Sequence, residues 1–393
     1  MIGAADLATL GDRLDELAAA IDADGDPDGT GIRLLRDHGL MDYLVPAEYG
    51  GTGGTVAGML AVAEELGGHC LGLAVLWVMH CQQVAIIAEY AAEPLREDVL
   101  RAVAGKQLFL GSVTTEAGKG GHVMTARAAL ERGDGVIRFR REAPVVSGGA
   151  HADAYLITMR RAEDTADDDV VLVYCPRSAV ELTVLGPLDM LGMRGTSNAS
   201  LSIGVEVPRD HLIDPAGGFP RIATRTMAPL AHLGWSAAWV GAARAALRHV
   251  VAAVRGSGEG PRIRRTDEVL DRLAQVRRRV DTAEAMVLAG LREYERRSGG
   301  ELDHPAFQIL VNNVKVVASE QTYAAVDELL ELAGLGLGYR RGPGLLLERV
   351  FRDLRSASLM YSNQRLVRAS GKLSMVDAAA SSLRLTGLSS GRR

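Results

Sequence analysis

With 393 residues, 47% of them hydrophobic and 24% charged, the chain is too long for one core and reads as a globular protein of two or three packed units. A net charge of −5 and an aromatic content of only 4% argue against an electrostatic nucleic-acid binder, which needs a basic stripe. Its three cysteines (Cys70, Cys81, Cys175) are far apart and include no C-x-x-C, which argues against a disulfide framework or zinc site and points to a reducing cytosol.

Residues 1 to about 105 read as helices. Leu7, Leu10, Leu14, Leu17 and Ile21 recur every three or four residues, the stripe of an amphipathic surface helix. A turn-rich break at Asp22–Thr30 precedes a short helix over Ile32–His38, and the helical pattern returns over Val56–Leu66 and Leu73–Glu89, with Gly67–Gly68 as the expected break. The N-terminal stretch is acidic and amphipathic, unlike a signal peptide, and the apolar run Leu71–Met79 is too short to span a bilayer. A soluble, cytoplasmic protein without membrane or nucleic-acid partners is expected.

From 106 to about 222 the character changes. Val136–Arg140, Ala154–Met159, Val170–Tyr174, Val180–Val184 and Ser200–Val207 are short, β-branched runs separated by Gly, Asp or Pro turns, which predicts a small β-barrel or sandwich. Four helical segments follow, roughly 226–255, 265–297, 305–334 and 345–383, with short connections that predict an up-down four-helix bundle. The fold class is therefore α+β: a helical domain (1–105), a β domain (106–222) and a helical bundle (223–393).

Three motifs in this order carry a family resemblance. GLMDYLVPAEYGG (39–51), LGMRGTSNASLSIGVEVPRDHLI (191–213) and ELAGLGLGYRRGPGLLLERVFRDLRSASLMYSN (331–363) together resemble acyl-CoA dehydrogenases over nearly the whole chain. The resemblance implies FAD held between β domain and bundle, an acyl thioester substrate on CoA or a carrier protein, and a homodimer or homotetramer in which a second subunit covers the pyrophosphate. It also assigns roles. Thr114, Thr115 and Glu116 open the loop that grips the flavin, where Gly121 and His122 stand in place of the family's Ser and Asp. Ser147 takes the position of a Thr that donates to flavin N5. Arg255 is left to pair with a pyrophosphate, in a turn that lacks the family's stacking Phe, and Asp267 stands where a Gln is usual. Gly336 and Gly338 allow close backbone approach from the neighbouring subunit.

The family's catalytic Glu is replaced by Tyr361, followed by Ser362 and Asn363, the latter on the cofactor side. The alternative site for that Glu, on the first bundle helix, holds Ala231 beside His232. α,β-Dehydrogenation needs a base at the α-carbon, worth on the order of 10²–10⁴ in rate. Tyr361 as that base would cost about 4 kcal/mol at neutral pH, whereas as a phenol it can donate. His232 is the better acid/base on its ordinary pKa, with a helix–helix hydrogen bond as its bland reading. His80 reads as a satisfied core histidine or, less simply, as a pocket residue. GLGLG (334–338) follows a helix and so is no dinucleotide fingerprint, Arg277–Arg279 read as a solvated face, and Arg352–Asp353 as a structural ion pair. The leading expectation is an FAD-dependent oxidoreductase acting on an acyl thioester, probed against two alternatives: a flavin monooxygenase or oxidase of the same fold, and a non-redox enzyme or non-catalytic subunit that has lost FAD.

Overall fold

In the computed structural model, which describes residues 3–118, 122–256, 263–342 and 346–377 together with 381 and 383, five helices lead into two small sheets and then a helical bundle. The leading helices are α1 (Ala4–Asp24), α2 (Thr30–Asp37), α3 (Val56–His69), α4 (Leu71–Tyr90) and α5 (Leu95–Lys106). The stripe read in α1 faces inward: Leu10, Leu14 and Ile21 are buried, with Leu7 and Leu17 half-buried at its margin. Gly67–Gly68 does not break α3, which runs on to His69. The glycine has a packing cause instead. A Cβ on Gly67 would lie 2.2 Å from the Ala238 carbonyl oxygen, and one on Gly241 1.8 Å from that of Glu64, so α3 and the first bundle helix meet backbone to backbone. Helix α4 also corrects the expectation drawn from Leu71–Met79. Among the described residues it is the one helix long and apolar enough to cross a membrane, but 83% of its apolar window is buried inside the protein.

The five expected strands are all present, each longer than read: β3 (Val136–Ser147), β4 (Ala154–Arg160), β5 (Val170–Pro176), β6 (Val180–Pro187) and β7 (Asn198–Pro208). Three more complete the sheets: β1 (Leu110–Val113), β2 (Glu131–Arg132) and β8 (Leu212–Ile213). They form two four-stranded sheets, β1-β4-β5-β8 and β2-β3-β7-β6, in which only the β1–β4 pair is parallel. Along β3, Ile137, Phe139 and Arg141 are buried and alternate with exposed Arg138, Arg140 and Glu142, the period-two pattern of a half-covered strand.

A short helix α6 (Gly218–Ile222) and a π-helical turn (Ala223–Met227) precede the bundle helices α7 (Ala228–Arg255), α8 (Asp267–Arg297) and α9 (Pro305–Leu337). The fourth expected segment is not one helix. It is α10 (Leu347–Arg355) and α11 (Asn363–Ser374), separated by a turn in which Tyr361 takes a left-handed φ of 48° that no helix can contain. Arg352 and Asp353 do not pair with each other. The Arg352 guanidinium grips both carboxylate oxygens of Asp22 at 2.9 and 2.6 Å and also Glu348, whereas the buried Asp353 carboxylate accepts from the Met193 backbone N–H. Both ties fasten α10 to other regions of the chain. Of Arg277–Arg279, read as a solvated face, Arg277 and Arg278 are exposed, but Arg279 is half-buried and donates to Gln321 on α9 at 3.3 Å.

Candidate active site

The π-helical turn at Ala223–Met227 lies where α4, the end of β1 and the start of α7 converge. Such turns insert an extra residue into a helical ladder and recur at functional sites. Gln82 on α4 donates to the Met227 carbonyl at 2.5 Å, and the Thr226 hydroxyl donates to Glu89 at 2.6 Å, so the turn is fixed to α4 by side chains. Beside it is an inner chamber of about 100 Å³ lined by Met79, Gln82, Thr114, Met227, His232, Trp235 and Tyr361 among others. An outer recess of about 370 Å³ shares His232 and Tyr361 with the chamber and carries His122, Asp303, Asn312 and Arg365. The outer recess alone is within the size range of small-molecule sites.

Of the nine residues expected at the site, Tyr361, His232 and Thr114 line this one chamber. The His232 and Tyr361 rings lie 5.6 Å apart, centroid to centroid, and Trp235 lies 6.2 Å from His232. Trp235 sits three residues after His232 on α7, one helical turn along the same face; that spacing was the signal for it in the sequence. Among the described residues no Asp or Glu lines the inner chamber, and Asp303 in the outer recess is exposed and within 3.7 Å of Arg225.

Protonation follows from burial. His232 is 1% exposed, and burial, aided by the nearby Lys315 ammonium, pulls its pKa down to about 3. It is therefore an uncharged imidazole at physiological pH, a weaker base than its ordinary pKa implies, with one ring nitrogen able to donate and one able to accept a hydrogen bond. Burial pushes the Tyr361 phenol above its ordinary value, so it too stays neutral and can serve only as a hydrogen-bond donor or acceptor. His232 Nδ1 and Trp235 Nε1 are buried polar atoms without a hydrogen-bond partner among the described residues. His80 is a satisfied core histidine. Its Nε2 lies 2.6 Å from the Met41 carbonyl oxygen, its Nδ1 accepts from Leu110 N–H at 3.0 Å, and burial lowers its pKa to about 4.

The β-domain wall holds Thr115 and Ser147. The Thr115 hydroxyl donates to the Val145 carbonyl at 2.6 Å, and the Ser147 hydroxyl to Asn198 Oδ1 at 2.8 Å. Arg141, 3% exposed, secures this wall by donating to the Thr115 carbonyl through Nε (3.1 Å) and Nη2 (2.8 Å) and to that of Thr158. The Glu116 carboxylate is occupied within the protein, accepting from the Arg127 and Ala128 backbone N–H groups at 2.9 and 2.7 Å. Gly121 lies outside the described residues, as does the glycine-rich turn at 257–262 beyond Arg255.

Arg255, Gly336 and Gly338 do not join the chamber. Arg255 ends α7, 23 residues beyond His232, a separation of roughly 35 Å at helical rise. Gly336 is exposed and Gly338 buried near the end of α9, beyond a kink at Gly334. Asn363, two residues after Tyr361, turns its side chain toward α9 instead, where its Oδ1 accepts from Lys315 Nζ at 2.7 Å. Lys315 went unread in the sequence because one lysine in VNNVKVVAS looks like a snorkelling surface residue. Only its neighbours make it a buried charge.

The flavin implied by the resemblance can be tested against these groups. The chamber offers Thr114, the buried polar atoms of His232 and Trp235 that have no partner among the described residues, and one large uncharged surface left open, Tyr361 at 39% exposure. Hydroxyls, neutral polar groups and exposed apolar faces suit a ring that is flat and polar along one edge.

Comparison with known proteins agrees with the fold. A family model described as the N-terminal domain of acyl-CoA dehydrogenase matches residues 8–107, and one described as the C-terminal domain matches residues 233–364. Amino sugar nitrososynthase DnmZ of Streptomyces peucetius is 26% identical over 345 residues, covering 83% of this chain and 81% of that protein. Probable acyl-CoA dehydrogenase YngJ of Bacillus subtilis (strain 168) is 24% identical over 330 residues, 82% of this chain and 83% of the other. Among solved structures, FMN-bound TdsC from Paenibacillus sp. A11-2, a dibenzothiophene monooxygenase, superposes with a TM-score of 0.83 at 21% identity, covering 94% of this chain and 96% of that one.

Proposed function

This chain belongs to the acyl-CoA dehydrogenase family, and from that premise we propose that it is a flavin-dependent monooxygenase or oxidase. The observation that carries the reading is the inner chamber, which no carboxylate among the described residues lines and whose ring side chains, His232, Trp235 and Tyr361, carry no charge at neutral pH, His232 because burial lowers its pKa and Tyr361 because its pKa is raised. Abstraction of an α-proton from an acyl thioester has no ionised base there. Oxygen chemistry needs none, and an uncharged, largely apolar chamber protects it from water. Relatives named as a nitrososynthase and a dibenzothiophene monooxygenase support the same direction.

When bound, the flavin supplies the electrons and the reaction with oxygen. The chain's own part is to hold and shield. Thr114 lines the chamber, whereas the Thr115 and Ser147 hydroxyls already donate to Val145 and Asn198, so Ser147 is left only to accept rather than to donate to flavin N5 as expected; Arg141 donates to the Thr115 carbonyl. Tyr361 offers a neutral O–H beside His232. FAD is the form that the sequence resemblance implies, and TdsC was solved with FMN, so the released flavin itself has to be identified. A dimer or larger assembly is part of the proposal, because Arg255 and the Gly336–Gly338 backbone lie outside their own chain's chamber.

The test is the fate of electrons on the reduced, flavin-loaded protein. Rapid reoxidation by dissolved oxygen with little transfer to an electron-transferring flavoprotein is the expected result. The opposite preference would restore the dehydrogenase reading.

A further inference from the structure

Lys315 is fully buried in the middle of α9, in a layer of Val311, Val314 and Ala318, which are also buried. An ammonium there carries a desolvation cost that a leucine would not, so its partners should explain it. It has two. Nζ donates to the Ala357 carbonyl at 2.8 Å and to Asn363 Oδ1 at 2.7 Å, six residues apart, and it lies 5.8 Å from the centre of the Trp239 ring. Ala357 stands at the start of the turn between α10 and α11, and Asn363 is the first residue of α11. Tyr361 lies between them in its left-handed conformation. Asn363 is held in turn by Ser319, one helical turn further along α9, to which its Nδ2 donates at 3.0 Å.

We propose that Lys315 is the positioning residue of this site: one buried ammonium closes both ends of the turn and so fixes where the Tyr361 ring stands in the chamber. Left-handed backbone at a tyrosine is unfavourable by itself and persists only where surrounding contacts over-determine it. The turn's own hydrogen bonds, Leu359 N–H and Met360 N–H to the Ser356 carbonyl at 2.8 Å each, shape its interior but do not tie it to the bundle. Lys315 supplies that tie, and charge-assisted bonds are the stronger kind. Burial draws its pKa down to about 7, so near neutral pH the charged and uncharged forms coexist, and both carry enough N–H groups to donate to Ala357 and Asn363. The catalytic importance of this positioning rests on Tyr361 belonging to the active site. The positioning itself does not, and can be measured without flavin or substrate.

The experiment is fluorine NMR of the full chain carrying fluorotyrosine at its nine tyrosines, with the Tyr361 signal assigned by its absence in Tyr361→Phe. In Lys315→Met, of similar length but uncharged, the Tyr361 signal should move by more than its linewidth toward the position of a solvated tyrosine, while the other signals stay. Amide exchange at Leu359 and Met360 should quicken on the order of tenfold. A lysine that merely supports the fold would move all signals together or none, and either result overturns the proposal. Should Lys315→Met fail to fold, Asn363→Ala decides, because it keeps the lysine and removes one of its two acceptors. A smaller shift of the Tyr361 signal in the same direction is then expected, and an unmoved signal rejects the idea.

Discussion

Replacing Tyr361 by Phe removes one oxygen atom whose role can be stated from its surroundings. The ring packs 5.6 Å from His232 and the side chain makes no hydrogen bond to another described residue, so stability should change by less than about 0.5 kcal/mol. Its neutral O–H is therefore free for what occupies the chamber. A neutral hydrogen bond is worth about 0.5–1.5 kcal/mol net, and if it is made during reaction its loss slows the step roughly 2- to 13-fold. The assay is stopped-flow reoxidation of the reduced, flavin-loaded variant by oxygen, beside thermal unfolding of the same samples. A slowed rate at unchanged stability is expected. A rate equal to the parent's would remove Tyr361 from the chemistry, and a fall of several kcal/mol in stability would show that its hydroxyl has a structural partner.

Two further substitutions separate fold from site. His80→Ala leaves the Met41 carbonyl and the Leu110 N–H unpaired in the core and opens a cavity, so it should destabilise by roughly 3–5 kcal/mol in chemical denaturation while the folded fraction reoxidises at the parent rate; a specific rate defect without destabilisation would contradict this assignment. Gly241→Ala puts a methyl group 1.8 Å from the Glu64 carbonyl oxygen, a backbone atom that cannot swing aside, and should cost roughly 3 kcal/mol or more; a cost under 0.5 kcal/mol would refute the close crossing of α3 and α7.

What could be read in advance follows the physics of each residue. The stripe of α1 and the β-branched runs were legible because burial on one face repeats with the period of the element, as Leu10 and Leu14 or Ile137 and Phe139 display. Gly67 misled because a glycine inside a helical pattern means either a break or a close neighbour, and the neighbour, Ala238, is 171 residues away. The turn carrying Tyr361 was hidden because SASLMYSN contains neither Gly nor Pro; Lys315 and Asn363 hold it by contacts that local propensity does not encode. The structure brings Tyr361 and His232 into one chamber, but their protonation was not legible, since a histidine with an ordinary pKa of 6.5 becomes a poor base only when its surroundings exclude water. Thr114 joined them in the chamber, whereas Arg255, Gly336 and Gly338 were assigned through a resemblance whose geometry involves a second copy of the chain.

The most direct check is the visible absorbance of the purified protein, with mass spectrometry of whatever small molecule it releases on denaturation. The account predicts the two-band spectrum of an oxidised flavin and recovery of FAD, or of FMN, in proportion to chain. A colourless preparation that takes up neither flavin when both are supplied would contradict it.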